Sequence, residues 1–115
     1  MAHWLSFCTI AMLSCTPLAG NAASQTATYL CERSVELPVV FVTDKTGAGI
    51  AVLLVEGALV TLEATPTASG VRYAAAPNES GYVWWTKGDA AMLTWFDAAT
   101  GQETPVYSEC EKTEP

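Results

Sequence analysis

From Thr26 to the C-terminus no stretch of this sequence keeps apolar residues at i, i+3 and i+4. They alternate with polar residues or fall in short runs, and Gly, Pro or Asp interrupts them at short intervals. A chain patterned this way buries one face of each short segment and then turns back, so the fold class is all-β. Strands are expected near Thr26 to Glu32, Pro38 to Thr43, Gly49 to Glu56, Ala58 to Ala64, Val71 to Ala76, Tyr82 to Lys87, Met92 to Asp97 and Pro105 to Cys110. Thr43-Asp44-Lys45-Thr46-Gly47, Glu56-Gly57 and Asp97 to Gly101 carry the turn chemistry that joins paired strands. Only Asp89 to Leu93 reads equally as helix or strand, because Asp89 can cap a helical turn begun by Ala90 and Ala91. Closing such a sheet, as a barrel or a flattened sandwich, removes its exposed edges. The expected architecture is a small eight-stranded antiparallel barrel.

The chain has 115 residues, half of them hydrophobic, which allows one small domain with a modest core that needs reinforcement. Its first part differs from the rest. Trp4 to Leu18 is apolar and uncharged, and every Lys, Arg, Asp and Glu falls at or after Glu32. With Pro17 and the small residues Ala19 to Ala23 behind it, this reads as an export signal over residues 1–22 and a mature domain over 23–115, cleaved after Ala22 or Ala23. Met12-Leu13-Ser14-Cys15 has the outline of a lipobox. A lipobox usually carries leucine three places before its cysteine, where this chain has Met12, so a soluble periplasmic form is favoured and lipidation at Cys15 is the alternative. Beyond the leader Cys31 and Cys110 remain, one in the first expected strand and one in the last. An exported chain pairs such cysteines. A disulfide closing a loop of about 79 residues is worth roughly 4 to 5 kcal/mol by chain entropy, and it would close the barrel.

Ser69 to Ala90 forms the clearest hairpin. Val71, Tyr73 and Ala75 alternate along one strand, Pro77 to Gly81 turns the chain, and Tyr82, Val83, Trp84 and Trp85 return. If the loop centres near Glu79, paired residue numbers sum to about 158, so Val71 faces Lys87 and Ser69 lies beside Gly88 and Asp89. Gly70 and Gly88 at the open ends allow short polar tips to lift off the sheet. Trp84 and Trp85 point to opposite faces, one of them core; Trp95 and Phe96 pose the same choice. Arg72, opposite in face to Tyr73, is expected to pair with a neighbouring carboxylate.

At these residues the chain resembles the bacterial inhibitors of c-type lysozyme, a family with membrane-bound and periplasmic branches. The matching pieces are Tyr29-Leu30-Cys31, Ser69-Gly70-Val71-Arg72-Tyr73, Trp85-Thr86-Lys87-Gly88-Asp89-Ala90-Ala91 and a closing Cys110, in the same order and spacing. The Asp97 to Tyr107 segment is longer than in compact members, and Ser34 to Gly49 shows only a general strand pattern. The resemblance implies a non-enzymatic protein whose partner is a c-type lysozyme. It also implies that Ser69 and Lys87 enter the lysozyme cleft and contact its catalytic glutamate and aspartate. Tyr73 would brace the Ser69 loop or serve as a core aromatic, and Gly70, Thr86 and Gly88 would shape how the two tips are presented.

The residues themselves argue in the same direction. The sole histidine, His3, lies in the leader, and paired cysteines leave no thiolate; the usual hydrolytic and zinc mechanisms lack their parts, and no cofactor is expected. A Ser69–Lys87 nucleophile pair is not compelling. Twelve acidic residues against five basic ones give a net charge of −7, which repels nucleic acid and attracts a cationic partner, although such charge also serves solubility alone. The rival readings are a barrel holding an apolar small molecule and an envelope structural protein. The first conflicts with an interior that Val, Leu, Trp and Phe side chains would fill.

Overall fold

The computed structural model describes residues 23–44 and 49–113. The expected leader, residues 1–22 with Cys15, lies outside them, as do residues 45–47 of the expected Thr43–Gly47 turn. Eight strands, β1 (Ala23–Cys31), β2 (Glu36–Thr43), β3 (Gly49–Val55), β4 (Ala58–Thr67), β5 (Gly70–Ala74), β6 (Gly81–Lys87), β7 (Ala90–Asp97) and β8 (Gln102–Lys112), form a closed barrel in sequence order. Every neighbour pair is antiparallel, and β8 closes onto β1. The barrel and its strand order follow the sequence expectation. Asp89–Leu93 resolves to the extended option, since Ala90 already opens β7.

Turn chemistry fixes the register. Glu56 and Gly57 both have positive φ (49° and 82°) between the paired residues Val55 and Ala58, the requirement of a two-residue type I′ hairpin. Between β1 and β2 a short 3-10 turn, Glu32–Ser34, places Arg33 and Ser34 in left-handed conformations at φ 59° each. The Arg33 guanidinium lies 5.6 Å from the centre of the Tyr107 ring. The β5–β6 ladder pairs Val71 with Thr86, Arg72 with Trp85 and Tyr73 with Trp84. The paired numbers therefore sum to 157, one less than expected, because β6 starts at Gly81 and the connecting loop reaches back to Ala75. Val71 faces Thr86, not Lys87.

The interior is packed with side chains. Trp84, Leu37, Leu53, Leu62, Leu93 and Val39 are fully buried, with Tyr29 edge-on to Trp84 at 4.9 Å between ring centroids. Trp84 is thus the core tryptophan, and Trp85 on the opposite face is half-buried. On β7, Trp95 remains 42% exposed against Tyr82, and Phe96 is half-buried.

The β1–β8 ladder runs only from Tyr29–Lys112 to Cys31–Cys110, and the disulfide joins that last pair across a Cα separation of 3.9 Å. It therefore ties the first strand to the last at the closing seam. Thr113 extends the seam by donating its N–H and its hydroxyl to the Thr28 carbonyl, at 2.9 and 3.0 Å. Glu32 reinforces it from the other side, accepting from the Ser108 hydroxyl at 2.8 Å and the Glu109 N–H at 3.1 Å. These two bonds hold its carboxyl below the ordinary carboxylate range.

Candidate functional site: two turns at one end of the barrel

Two tight turns share an end of the barrel. Ala68 and Ser69 join β4 to β5 between the paired residues Thr67 and Gly70, and the Thr67 hydroxyl donates to the Gly70 carbonyl at 2.9 Å to close the bend. Gly88 and Asp89 join β6 to β7 between Lys87 and Ala90. Gly88 takes φ 59° at the first turn position, where a type II′ hairpin requires glycine. The carbonyl of Asp89 accepts the Lys112 N–H at 2.8 Å, so the last strand pins this second turn.

Gly70 brings the two turns together. It has φ 154°, and a Cβ built there would overlap the Thr86 carbonyl oxygen and come within 3.4 Å of the Lys87 Cα. Only a residue without a side chain lets β5 approach the Thr86–Lys87 peptide this closely. Ser69 and Lys87 consequently flank one open hollow, lined with them by Trp85, Thr86, Met92 and Ser108. Both tip residues are exposed, and no carboxylate among the described residues forms an ion pair with the Lys87 ammonium. The site presents a hydroxyl and an unpaired cation on short, backbone-fixed turns.

Tyr73 is placed differently from its neighbours in the motif. It pairs with Trp84 and packs against the core, its ring 5.5 Å from that of Phe41, and burial raises its pKa. The structure places Tyr73 in the barrel wall, packed against the core. Thr86 acts through its backbone, as the surface against which Gly70 rests.

Behind the tips, on the outer face of β5 to β8, lies a network that sequence reasoning found only in part. Arg72 pairs with a carboxylate as expected, and the partner is Glu103: Nη2 to Oε1 is 2.5 Å. The other Glu103 oxygen accepts from Trp85 Nε1 and Thr94 Oγ1, both at 3.1 Å, while the Arg72 guanidinium lies 5.3 Å from the centre of the Trp85 ring. Partial burial pushes the Glu103 carboxyl up. The hydrogen bonds from Arg72, Trp85 and Thr94, with the charge of Arg72, outweigh that and leave its pKa below the ordinary value. Glu103 and Thr94 were missed because β8 was expected to begin at Pro105, which left Glu103 in a loop.

Among the described residues no three His, Cys, Asp or Glu side chains group as metal ligands would. The barrel interior is filled with side chains, and a cation and a hydroxyl stand exposed on adjacent turns. The sequence profile described as "membrane-bound lysozyme-inhibitor of c-type lysozyme" matches residues 29–102, and the chain belongs to this family. That span holds both turns and the Glu103-bound side chains Arg72, Trp85 and Thr94. The family is one of enzyme inhibitors, not of enzymes. No curated protein matches the chain by sequence.

Three solved structures share the fold. The periplasmic inhibitor of c-type lysozyme PliC from Salmonella typhimurium is 21% identical, covers 78% of this chain and 98% of its own, and superposes with a TM-score of 0.65. The Pseudomonas aeruginosa MliC, solved in complex with hen egg white lysozyme, is 22% identical over 84% of this chain and 89% of its own, with a TM-score of 0.60. The Adhesin Complex Protein of Neisseria meningitidis is 19% identical over 77% and 99%, with a TM-score of 0.56. At these identities the likeness concerns the fold.

Proposed function

We propose that this protein inhibits c-type lysozyme by seating the Ser69 and Lys87 turns in the enzyme's active-site cleft. Family membership supports the inhibition, and the MliC of P. aeruginosa is known as a complex with such a lysozyme. The observation that carries the mode of action is the close approach of Gly70 to the Thr86–Lys87 peptide, which sets an exposed hydroxyl beside an exposed, unpaired ammonium. Lysozyme hydrolyses its substrate with a general-acid glutamate and a partner aspartate. In this reading Ser69 hydrogen-bonds the glutamate and Lys87 pairs with the aspartate, so that both carboxylates are engaged and the cleft is blocked to peptidoglycan. Charge-assisted contacts in a water-poor groove are the strong kind, and losing one partner costs roughly 2 to 5 kcal/mol. The net charge of −7 would speed encounter with a basic enzyme.

The same proposal places the mature domain, residues 23–115, in the periplasm after removal of residues 1–22, or on the membrane if Cys15 is lipidated. A cell-wall lysis assay tests the function and the site together. The oxidised protein should inhibit lysis, and folded Ser69→Ala and Lys87→Ala variants should inhibit less. Full inhibition by both variants would move the interface elsewhere.

A further inference from the structure

Glu103 stands on β8, away from both tips, yet its side chain reaches three other strands. Its carboxylate takes Arg72 from β5, Trp85 from β6 and Thr94 from β7, at 2.5, 3.1 and 3.1 Å. Arg72, Trp85 and Thr94 alternate with the core-packed Tyr73, Trp84 and Leu93, so they share the outer face of the barrel with Glu103; Thr94 itself is buried there. Two of the three bonded residues sit at the base of the tips. Arg72 is three positions beyond Ser69, and Trp85 is two positions before Lys87 on the same face of β6. Trp85 also lines the hollow between Ser69 and Lys87.

We propose that Glu103 is a positioning residue for both tips: by tying Arg72 and Trp85 to one carboxylate, it fixes the spacing at which the Ser69 hydroxyl and the Lys87 ammonium leave the barrel. The consequence for inhibition rests on the function proposed above; the spacing itself is a property of the free protein. One carboxylate serves three donors because it is acceptor-only, with two oxygens and about four lone-pair sites. A network of this kind is worth more than an isolated surface pair, since each bond holds the others in place. The Arg72 guanidinium stacked beside the Trp85 ring limits the freedom of both side chains. Lys87 extends from the strand so held, and the Gly70 contact passes any shift of β5 to the Thr86–Lys87 peptide.

Two variants test this. Glu103→Gln keeps the side-chain length but has one acceptor oxygen and turns an NH2 toward donors. Trp85→Phe keeps an aromatic ring, removes the N–H arm and reduces the ring surface under Arg72, and it guards against a Glu103 variant that fails to fold. Amide hydrogen exchange on the free protein is read at Thr86 to Asp89 and, as a reference, at Leu53 in the core of β3. Inhibition of a c-type lysozyme is measured in parallel. A positioning role predicts exchange at Thr86 to Asp89 about tenfold faster in Glu103→Gln, with a smaller change at Leu53, and inhibition about tenfold weaker. Trp85→Phe should move both readouts in the same direction by less. Unchanged exchange at the turn, or a rise matching that at Leu53, would overturn the proposal, the latter showing a merely structural role. If the turn loosens as predicted but the parent protein does not inhibit lysozyme, the positioning stands and the inhibitory reading falls.

Discussion

Gly70 rests against the carbonyl of Thr86 so closely that no side chain fits between them. This single contact brings together two hairpin ends that are remote in sequence. Gly70→Ala combines an unfavourable backbone angle with a clash against main chain, which cannot swing away as a flexible side chain does. The expected cost is roughly 1 to 3 kcal/mol in stability, read by denaturant unfolding, with weakened lysozyme inhibition. Gly101 is the control: its φ is 75° but a Cβ there meets nothing within 4 Å, so Gly101→Asn should leave inhibition intact.

The disulfide lies in the ladder that closes the barrel and spans 79 residues of sequence. By chain entropy its loss removes roughly 4 to 5 kcal/mol, a large fraction of the stability of a domain this size. Thermal unfolding with and without reductant checks this. The reduced protein should melt much lower and should lose inhibition in proportion to the fraction unfolded. An unchanged melting temperature after confirmed reduction would mean that the Thr28–Thr113 and Glu32–Ser108 contacts hold the seam unaided.

Acid should weaken the fold through two carboxylates. The folded-state pKa values of Glu103 and Glu32 lie below the ordinary value of 4.5. Their stabilisation is therefore fully present above about pH 4.5 and is lost as the pH falls through the folded-state values. Melting temperature measured down the pH scale should drop below that point, and Glu103→Gln and Glu32→Gln should each flatten part of the drop. A parent profile that is flat below pH 4.5 would contradict the network.

Much of this architecture was legible in the sequence because period-two patterning and turn residues report directly on local structure. Glu56-Gly57 and Gly88 sit where positive φ is needed, and Cys31 and Cys110 fall in the first and last strands, where the disulfide forms. Interstrand detail was less legible. The β5–β6 register differs by one from the expected one because turn residues at Pro77–Gly81 do not fix where the ladder ends: β5 stops at Ala74 and β6 begins at Gly81. The orientation of Tyr73 and the choice between Trp84 and Trp85 depend on which face of β5 and β6 closes onto the core, a long-range fact. Glu103 was hidden by a conservative start for β8. Gly101 ends the turn, and a strand starting at Gln102 sets Glu103 on the sheet opposite Phe96, diagonal to Thr94, whose own partner is Pro105.

The claim that the two tips occupy the catalytic cleft is tested most directly by competition. Binding of the oxidised protein to a c-type lysozyme is measured by titration calorimetry with the cleft empty, and again with the cleft saturated by an N-acetylglucosamine oligomer. Occlusion through Ser69 and Lys87 predicts an apparent affinity that falls in step with oligomer occupancy, and a Lys87→Ala variant that binds weakly in both conditions. Equal affinity with the cleft filled, or undiminished binding by folded Lys87→Ala, would contradict it.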